Sequence, residues 1–446
     1  VIDRAATEAS ADILAADPGR VNRELEALLA SSPPVQNRTF PLPASAMYLR
    51  LEAANEHCRR VEEYTELLDN VLALYREDAG VRAFFGLAST AERLVDATRA
   101  ERDRVVVARI DGYLDATTQG VRFLENNTDA PAGALFTPRI NALVDKVQRR
   151  SGYHRPDTAA FSFDDDTAFA RFLIGHGVSQ GLPAEGVRIA VLQPEGAASV
   201  ESVELVSQLN TLGADAFLAD PRSVQVGSTG VRFARRPADL CWNKVNTGPW
   251  SALVETDEDL VDTWCRALRH DGFVHVNPMG SRYVTESKLS LAMVQEPGLA
   301  GYFNDEQRRL VASVLPWSRR LGGGCAHSEG NGAVAERPAQ ELVLKAPYDI
   351  RGEGVTVGRT VDARAWAAAV ARGLKENHLV QEYVPPLACP VLTADGTFQP
   401  MSVSLDSFVW GGRFAGFGAK AGTGARVNVF QGGRKLAVRV VQEPPS

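Results

Sequence analysis

The residues Glu125-Asn126-Asn127 place oxygen ligands at the end of a short alternating segment early in the chain, long before the lysines at 288 and 345 and the apolar strands around them. Carboxylate and amide oxygens suit a hard cation, and lysines suit the anion that accompanies it. If both serve one site, strands from the last third of the chain must return beside a hairpin from its first third. That requirement excludes a simple string of independent domains.

The hairpin is legible from a change of period. Up to about Gly86 the apolar residues recur at helical spacing, through Val21, Leu25, Leu28 and Leu29 and then Leu49, Ala53, Val61, Leu67, Leu68, Val71 and Leu72, with breaks at Pro33-Pro34 and Pro41 to Pro43. The segment 105–111 then alternates as a strand, 115–120 is a turn and 121–125 is the return strand. A helix is expected over 162–177. From Val187 a βαβ pattern follows, with strands at 187–192, 214–218, 240–245 and 273–277 and helices at 200–212 and 257–270. No GxGxxG follows the first of these strands, so a dinucleotide site is not indicated there. Later elements are a helix over 285–295, strands at 342–345, 379–384 and 402–410, a helix over 363–375, and glycine-rich hairpins at the end. The glycine run from Gly322 to Gly332 reads as a mobile loop.

Composition narrows the partners. The 446 residues carry a formal net charge of -7, which disfavours an extended nucleic-acid surface, because phosphate binding calls for concentrated Lys and Arg. No apolar run has the roughly 20 residues a membrane helix needs. The five cysteines are scattered and odd in number, against a disulfide framework or a zinc site. Val1 and its neighbours show neither a basic n-region nor an apolar h-region. The expectation is a cytoplasmic protein that binds small molecules, with no nucleic acid, no membrane and an open oligomeric state for which a homodimer is one option.

Several residues could carry chemistry. Asp111, on the strand paired with Glu125 and Asn127, could supply a second carboxylate to a Mg²⁺ ion, and Arg109 shares its strand face. A polar hairpin end built on Asn turns has the same composition. Lys345 ends an apolar strand and precedes Arg351-Gly352-Glu353-Gly354, where glycines let a backbone approach an anion. Gln381-Glu382-Tyr383-Val384 combines polar residues with an apolar strand stopped by Pro385-Pro386. Such an edge can pair an adenine, although a solvated strand would look similar. Lys288 falls on an expected amphipathic helix, where a surface position is the default. Lys420 and Arg426 lie in a glycine-rich stretch and are the better candidates there for anionic groups. The seven histidines form no metal motif, and no GxSxG elbow is present.

Taken in order, Arg109-x-Asp111, Glu125-x-Asn127, the segment from Asn277 to Lys288, Lys345 with its glycine loop, and Gln381-Glu382-Tyr383-Val384 resemble the circularly permuted ATP-grasp enzymes of the glutathionylspermidine synthase-like group. The resemblance covers about residues 100–440. It implies an α/β fold with a permuted ATP-grasp core, a pre-ATP-grasp α/β domain and an N-terminal helical region. The implied organisation is an N-terminal helical region at 1–100, a metal-binding core part at 101–185, a substrate domain at 186–280, a lid and hinge at 281–390 and the rest of the core at 391–446.

By the same resemblance, Asp111, Glu125 and Asn127 would bind Mg²⁺, while Lys288 and Lys345 would contact the phosphates of ATP. Gln381, Glu382, Tyr383 and Val384 would line adenine and ribose, and Arg109 would stabilise the group in transfer. The implied reaction is ATP-dependent joining of a small carboxylate to an amine through an acyl phosphate, on amino-acid or peptide-like substrates. A small-molecule kinase and a non-catalytic nucleotide-binding scaffold are the alternatives. The glycine run and the missing amidase domain depart from the group, so its polyamine and glutathione specificity does not carry over.

Overall fold

In a computed structural model, residues 1–34, 40–153, 161–197, 199–322, 329–349 and 352–442 are described. Early and late strands do share one sheet. Its order is Ala46–Arg50, Arg434–Val441, Arg413–Gly422, Phe398–Trp410, Val107–Leu114 and Val121–Asn127, with Ala388–Leu392 also paired to Phe398–Trp410. The first pair is parallel and the rest are antiparallel.

The two faces of this sheet follow from the period of two along each strand. On one face, Met47, Leu49, Ile110, Leu405, Leu436, Val438 and Val440 join the largest core cluster. That cluster is completed by the helix Leu51–Glu77, whose Val61, Tyr64, Leu68, Val71 and Tyr75 are buried. Glu52 in its first turn and Arg76 in its last complement the helix dipole. Asp78 ends it and caps the next helix, Ala79–Phe85, by accepting from the Val81 amide at 2.9 Å. On the other face, Tyr48, Ala437 and Val441 pack on Phe136, Ile140 and Val144 of the helix Phe136–Arg150. The charged residues of the strands fall on this second face, and the site lies there.

The N-terminal segment departs from the helical expectation. Ala46–Arg50 is a buried edge strand, held in register against Ala437 to Val441. Its closeness to Pro41 and Pro43, and a run of only five residues, left no alternation long enough to read.

The βαβ reading holds. A parallel sheet orders Val274–Val276, Leu240–Asn243, Arg188–Leu192 and Asp215–Ala219, with helices Val200–Thr211 and Glu258–Leu268 between strands. Asn277, wholly buried, joins this layer to the hairpin: its side chain accepts from the Val107 amide at 2.8 Å and donates to the carbonyls of Val107 and Thr128 at 2.7 and 2.8 Å. A second four-stranded sheet is antiparallel, in the order Ser318–Arg320, Leu379–Glu382, Leu342–Lys345 and Val355–Val357. Leu379–Glu382 is therefore an interior strand, not the edge expected from Pro385-Pro386. The strand Ser318–Arg320, too short to carry a pattern, covers it. Of the glycine run, residues 323–328 lie outside the described residues, and Glu329–Glu336 is helical.

Candidate functional site

A cavity of about 590 Å³ opens where the three sheets meet, and Arg109, Asp111, Glu125 and Asn127 form its floor. Asp111 and Glu125 are directly opposed across the hairpin, with a bulge immediately after Asp111. The alternation that turns Glu125 and Asn127 to the cavity turns Asn126 away. Asn126 accepts from the Tyr64 hydroxyl and donates to the Thr285 carbonyl and Ser290 Oγ, so it fastens the hairpin to its neighbours.

Each carboxylate meets a cation. Arg109 Nε lies 2.6 Å from Asp111 Oδ1 and its Nη2 2.9 Å from Oδ2, while Lys420 Nζ is 2.9 Å from Oδ2. Burial raises the Asp111 pKa, but Arg109 and Lys420 outweigh it and hold the group well below the usual carboxylate range. Lys420 also bonds Asp406 Oδ1 at 2.7 Å, a residue opposite Asp111 in the neighbouring strand. Glu125 Oε1 is 3.1 Å from the ammonium of Lys288.

Lys288 and Lys345 approach the floor from the segments that follow the parallel sheet. Lys288 is 1% exposed and stands at the start of the short helix Leu289–Met293, after a π-helical turn at Ser281–Thr285. The surface position expected for it is thus corrected: the amphipathic pattern over 285–295 reflects burial on all sides. Lys345 donates to the Leu124 carbonyl at 2.8 Å and to Gln381 Oε1 at 2.7 Å. Burial lowers its pKa to about 8, an ammonium short of negative charge.

The remaining expected residues divide into three groups. Gln381, Glu382, Tyr383 and Val384 line the cavity with Val343, Val355 and Val357, a polar edge on an apolar slot. Gly352 also lines it, whereas Gly354 and Lys288 lie just behind the wall, and Arg351 lies outside the described residues. Arg426 lines the cavity and donates to the carbonyls of Gly352 and Val355, both at 2.9 Å, which ties the turn at Gly352 to the segment after the strand Arg413–Gly422.

Sequence reasoning missed the far wall. Here the segment 128–133 is held by side chains from the parallel-sheet layer. Lys244 donates to the carbonyls of Ala130 and Pro131 and pairs with Glu201 at 2.9 Å, and Glu201 accepts from the Gly133 amide. Asp129 accepts from the amide of Thr247 and the side chain of Asn246. Glu286, buried, accepts from the amides of Thr128 and Asp129 at 2.5 and 3.0 Å, and burial with the nearby Asp129 raises its pKa well above the usual range. Arg282 donates to the carbonyls of Asp129, Asn243 and Val245. Asp406 and Lys435 were missed too, since a charged residue within a strand reads as solvated until its neighbours are known. A charge amid the apolar run Val403 to Val409 was the available signal for Asp406.

The donor set can be tested against a divalent cation. Among the described residues no three His, Cys, Asp or Glu side chains converge as a metal cluster. Mg²⁺ needs only one or two carboxylates when phosphates complete its shell. Glu125 and Asn127 fit that requirement by chemistry and by facing the cavity. Asp111 fits by position, with both oxygens already engaged by cations.

No protein-family profile matches the chain, and no curated protein matches it in sequence. Solved structures do. A glutathione synthetase-like effector from Globodera pallida, in its apo form, is 13% identical with a TM-score of 0.64, over 95% of this chain and 97% of that one. A putative gamma-glutamylcysteine synthetase from Methylobacillus flagellatus is 12% identical with a TM-score of 0.44, over 84% of this chain and 87% of that one. The architecture of the present chain is ATP-grasp-like, a mixed α/β fold of several sheets. Among the described residues no helix is long and apolar enough to cross a membrane.

Proposed function

We propose that the chain is an ATP-dependent carboxylate-amine ligase that acts on small amino-acid or peptide-like substrates. The observation that carries this reading is the setting of Glu125, an oxygen ligand on the cavity floor with two buried lysines, Lys288 and Lys345, brought to it from the lid side. The structural likeness to a glutathione synthetase-like protein supports it. The permuted chain order and the five-part organisation belong to the same proposal, supported by the return of strands 398–441 to the 107–127 hairpin.

When bound, Mg²⁺ and ATP would supply an activated phosphoryl group for the carboxylate and neutralise charge on the phosphoryl oxygens. The protein's own residues do the rest. Glu125 and Asn127, with Asp111 beside them, would hold the metal. Lys288 and Lys345 present ammonium groups to the phosphates, and Lys345 in particular regains the counter-charge its burial lacks. The slot between Val343, Val357 and Val384 takes a flat base, with Gln381 and Glu382 at its polar rim. Arg109 and Lys420, locked to Asp111, place fixed positive charge where an oxyanion develops without reorganising. The clamp from Arg426 to the turn at Gly352 keeps the lid seated and water out.

The test is ADP release across a panel of amino acids and peptides with amine acceptors, followed by mass spectrometry of the product. Glu125→Gln should abolish release while far-UV circular dichroism stays unchanged. Normal turnover in that variant refutes the metal assignment.

A further inference from the structure

Lys435 is a buried, cavity-lining cation that the proposed chemistry leaves unused. It is 7% exposed and lines the cavity, and among the described residues its ammonium has no hydrogen-bond partner. Its ammonium lies over the face of Phe136, whose ring centre is 5.1 Å from Nζ. Lys420 lies directly opposite on the next strand, on the same sheet face, and shows what a satisfied lysine looks like here. Burial alone would lower the Lys420 pKa, yet Asp111 and Asp406 outweigh it and raise the group. Lys435 is lowered by burial and by Lys420, to about 8, with the more distant Asp406 and Asp111 opposing and Arg109 adding to the fall. A cation–π contact returns less than withdrawing an ammonium from water costs. An anion in the cavity would close that gap.

The position says which anion. In the sheet, the strands bearing Lys420, Asp406 and Asp111 separate Lys435 from the strand of Glu125. Glu125, with Lys288 and Lys345, marks the end where phosphate and the reacting carboxylate would meet. Lys435 stands at the other end of the row. We propose that Lys435 anchors a second, non-reacting carboxylate of the substrate, so that the protein selects acids or peptides carrying a carboxylate besides the one it activates. This rests on the ligase reading of the cavity. The anchor is a specificity residue and takes no part in bond making.

Calorimetric titration separates the possibilities. Wild type, Lys435→Met and Lys435→Arg would each be titrated with L-glutamate, glutarate, uncharged glutaramide, inorganic phosphate and, separately, the non-hydrolysable nucleotide AMPPNP with Mg²⁺. Wild type should bind glutamate or glutarate and not glutaramide. Lys435→Met should weaken that binding at least about tenfold, as the loss of one charge-assisted hydrogen bond does, while Lys435→Arg keeps most of it. Without ligand, Lys435→Met should melt no lower than wild type, since it removes an unpaired buried charge. Equal carboxylate affinity in wild type and Lys435→Met overturns the inference, and so does a wild type that binds no carboxylate. A loss confined to AMPPNP or phosphate overturns it as well, because the ammonium would then be a phosphate contact. Carboxylate binding through Lys435 in a protein that binds no AMPPNP would keep the anchor and remove the ligase reading.

Discussion

Asp111 and Asp406 face each other across two antiparallel strands and share one ammonium, that of Lys420, at 2.9 and 2.7 Å. With Arg109 on the other side of Asp111, the four side chains form a row of alternating charge in the middle of the sheet. Two carboxylates this close are tolerated only because a cation lies between them. The row holds the floor of the cavity in place before any ligand arrives.

Lys420→Met should therefore destabilise the protein by about 3–5 kcal/mol, the usual cost of stranding a buried charge partner. Urea unfolding measures it. Adding Asp406→Asn should recover part of the loss, because the pair is coupled; strictly additive effects would show that Lys420 does not bridge the two acids.

Arg282 is the second structural cation. Its guanidinium satisfies three carbonyls, those of Asp129, Asn243 and Val245, which link the cavity wall to the parallel sheet. Arg282→Met removes the guanidinium donor from all three and should cost at least about 3 kcal/mol. A change of melting temperature below 2 °C would show that water replaces the guanidinium freely.

How much of this was visible in the sequence depends on where the information lay. The hairpin and the βαβ layer were legible, because a period of two, a turn and a run of β-branched residues are local properties of the segments at 105–127 and 187–277. That Glu125 and Asn127 offer oxygen ligands followed from residue type, and both line the cavity. What could not be read was whether a charge is buried. Lys288 looks like a surface lysine, and Lys435 like the solvated start of a strand, until their distant neighbours in the fold, among them the helix Phe136–Arg150 beside Lys435, are known. The strand Ala46–Arg50 exists only because Arg434–Val441 offers it an edge, a partner nearly four hundred residues away by the register Ala46 to Ala437.

Two buried histidines set an acid limit. Burial, with Arg60 near His57 and Arg282 near His275, lowers both imidazoles to about 3 from an ordinary value near 6.5. Each is neutral when folded and gains a proton on unfolding. Their contribution is thus complete above pH 6.5 and declines as pH falls toward 3, by about 1.4 kcal/mol per pH unit for each group. Denaturant midpoints taken between pH 7 and 4 should fall on that slope. The double variant His57→Gln/His275→Gln should flatten it whatever its absolute stability; an unchanged slope would assign the acid sensitivity to other groups.

Lys345 links the two halves of the site through the Leu124 carbonyl and Gln381. Lys345→Met should raise the dissociation constant of Mg²⁺-AMPPNP by about tenfold or more, equivalent to one charge-assisted hydrogen bond to phosphate. Fluorescence titration or calorimetry reads it directly. Affinity within a factor of two of wild type would remove Lys345 from the nucleotide site.

The most direct test of the central claim is a hydroxylamine trap with ATP, Mg²⁺ and a panel of carboxylates, amino acids and peptides. A ligase acting through an acyl phosphate should release ADP only with a suitable acid and yield its hydroxamate, detected by mass. ADP release with a stable phosphoester product and no hydroxamate would contradict the account and make the protein a kinase.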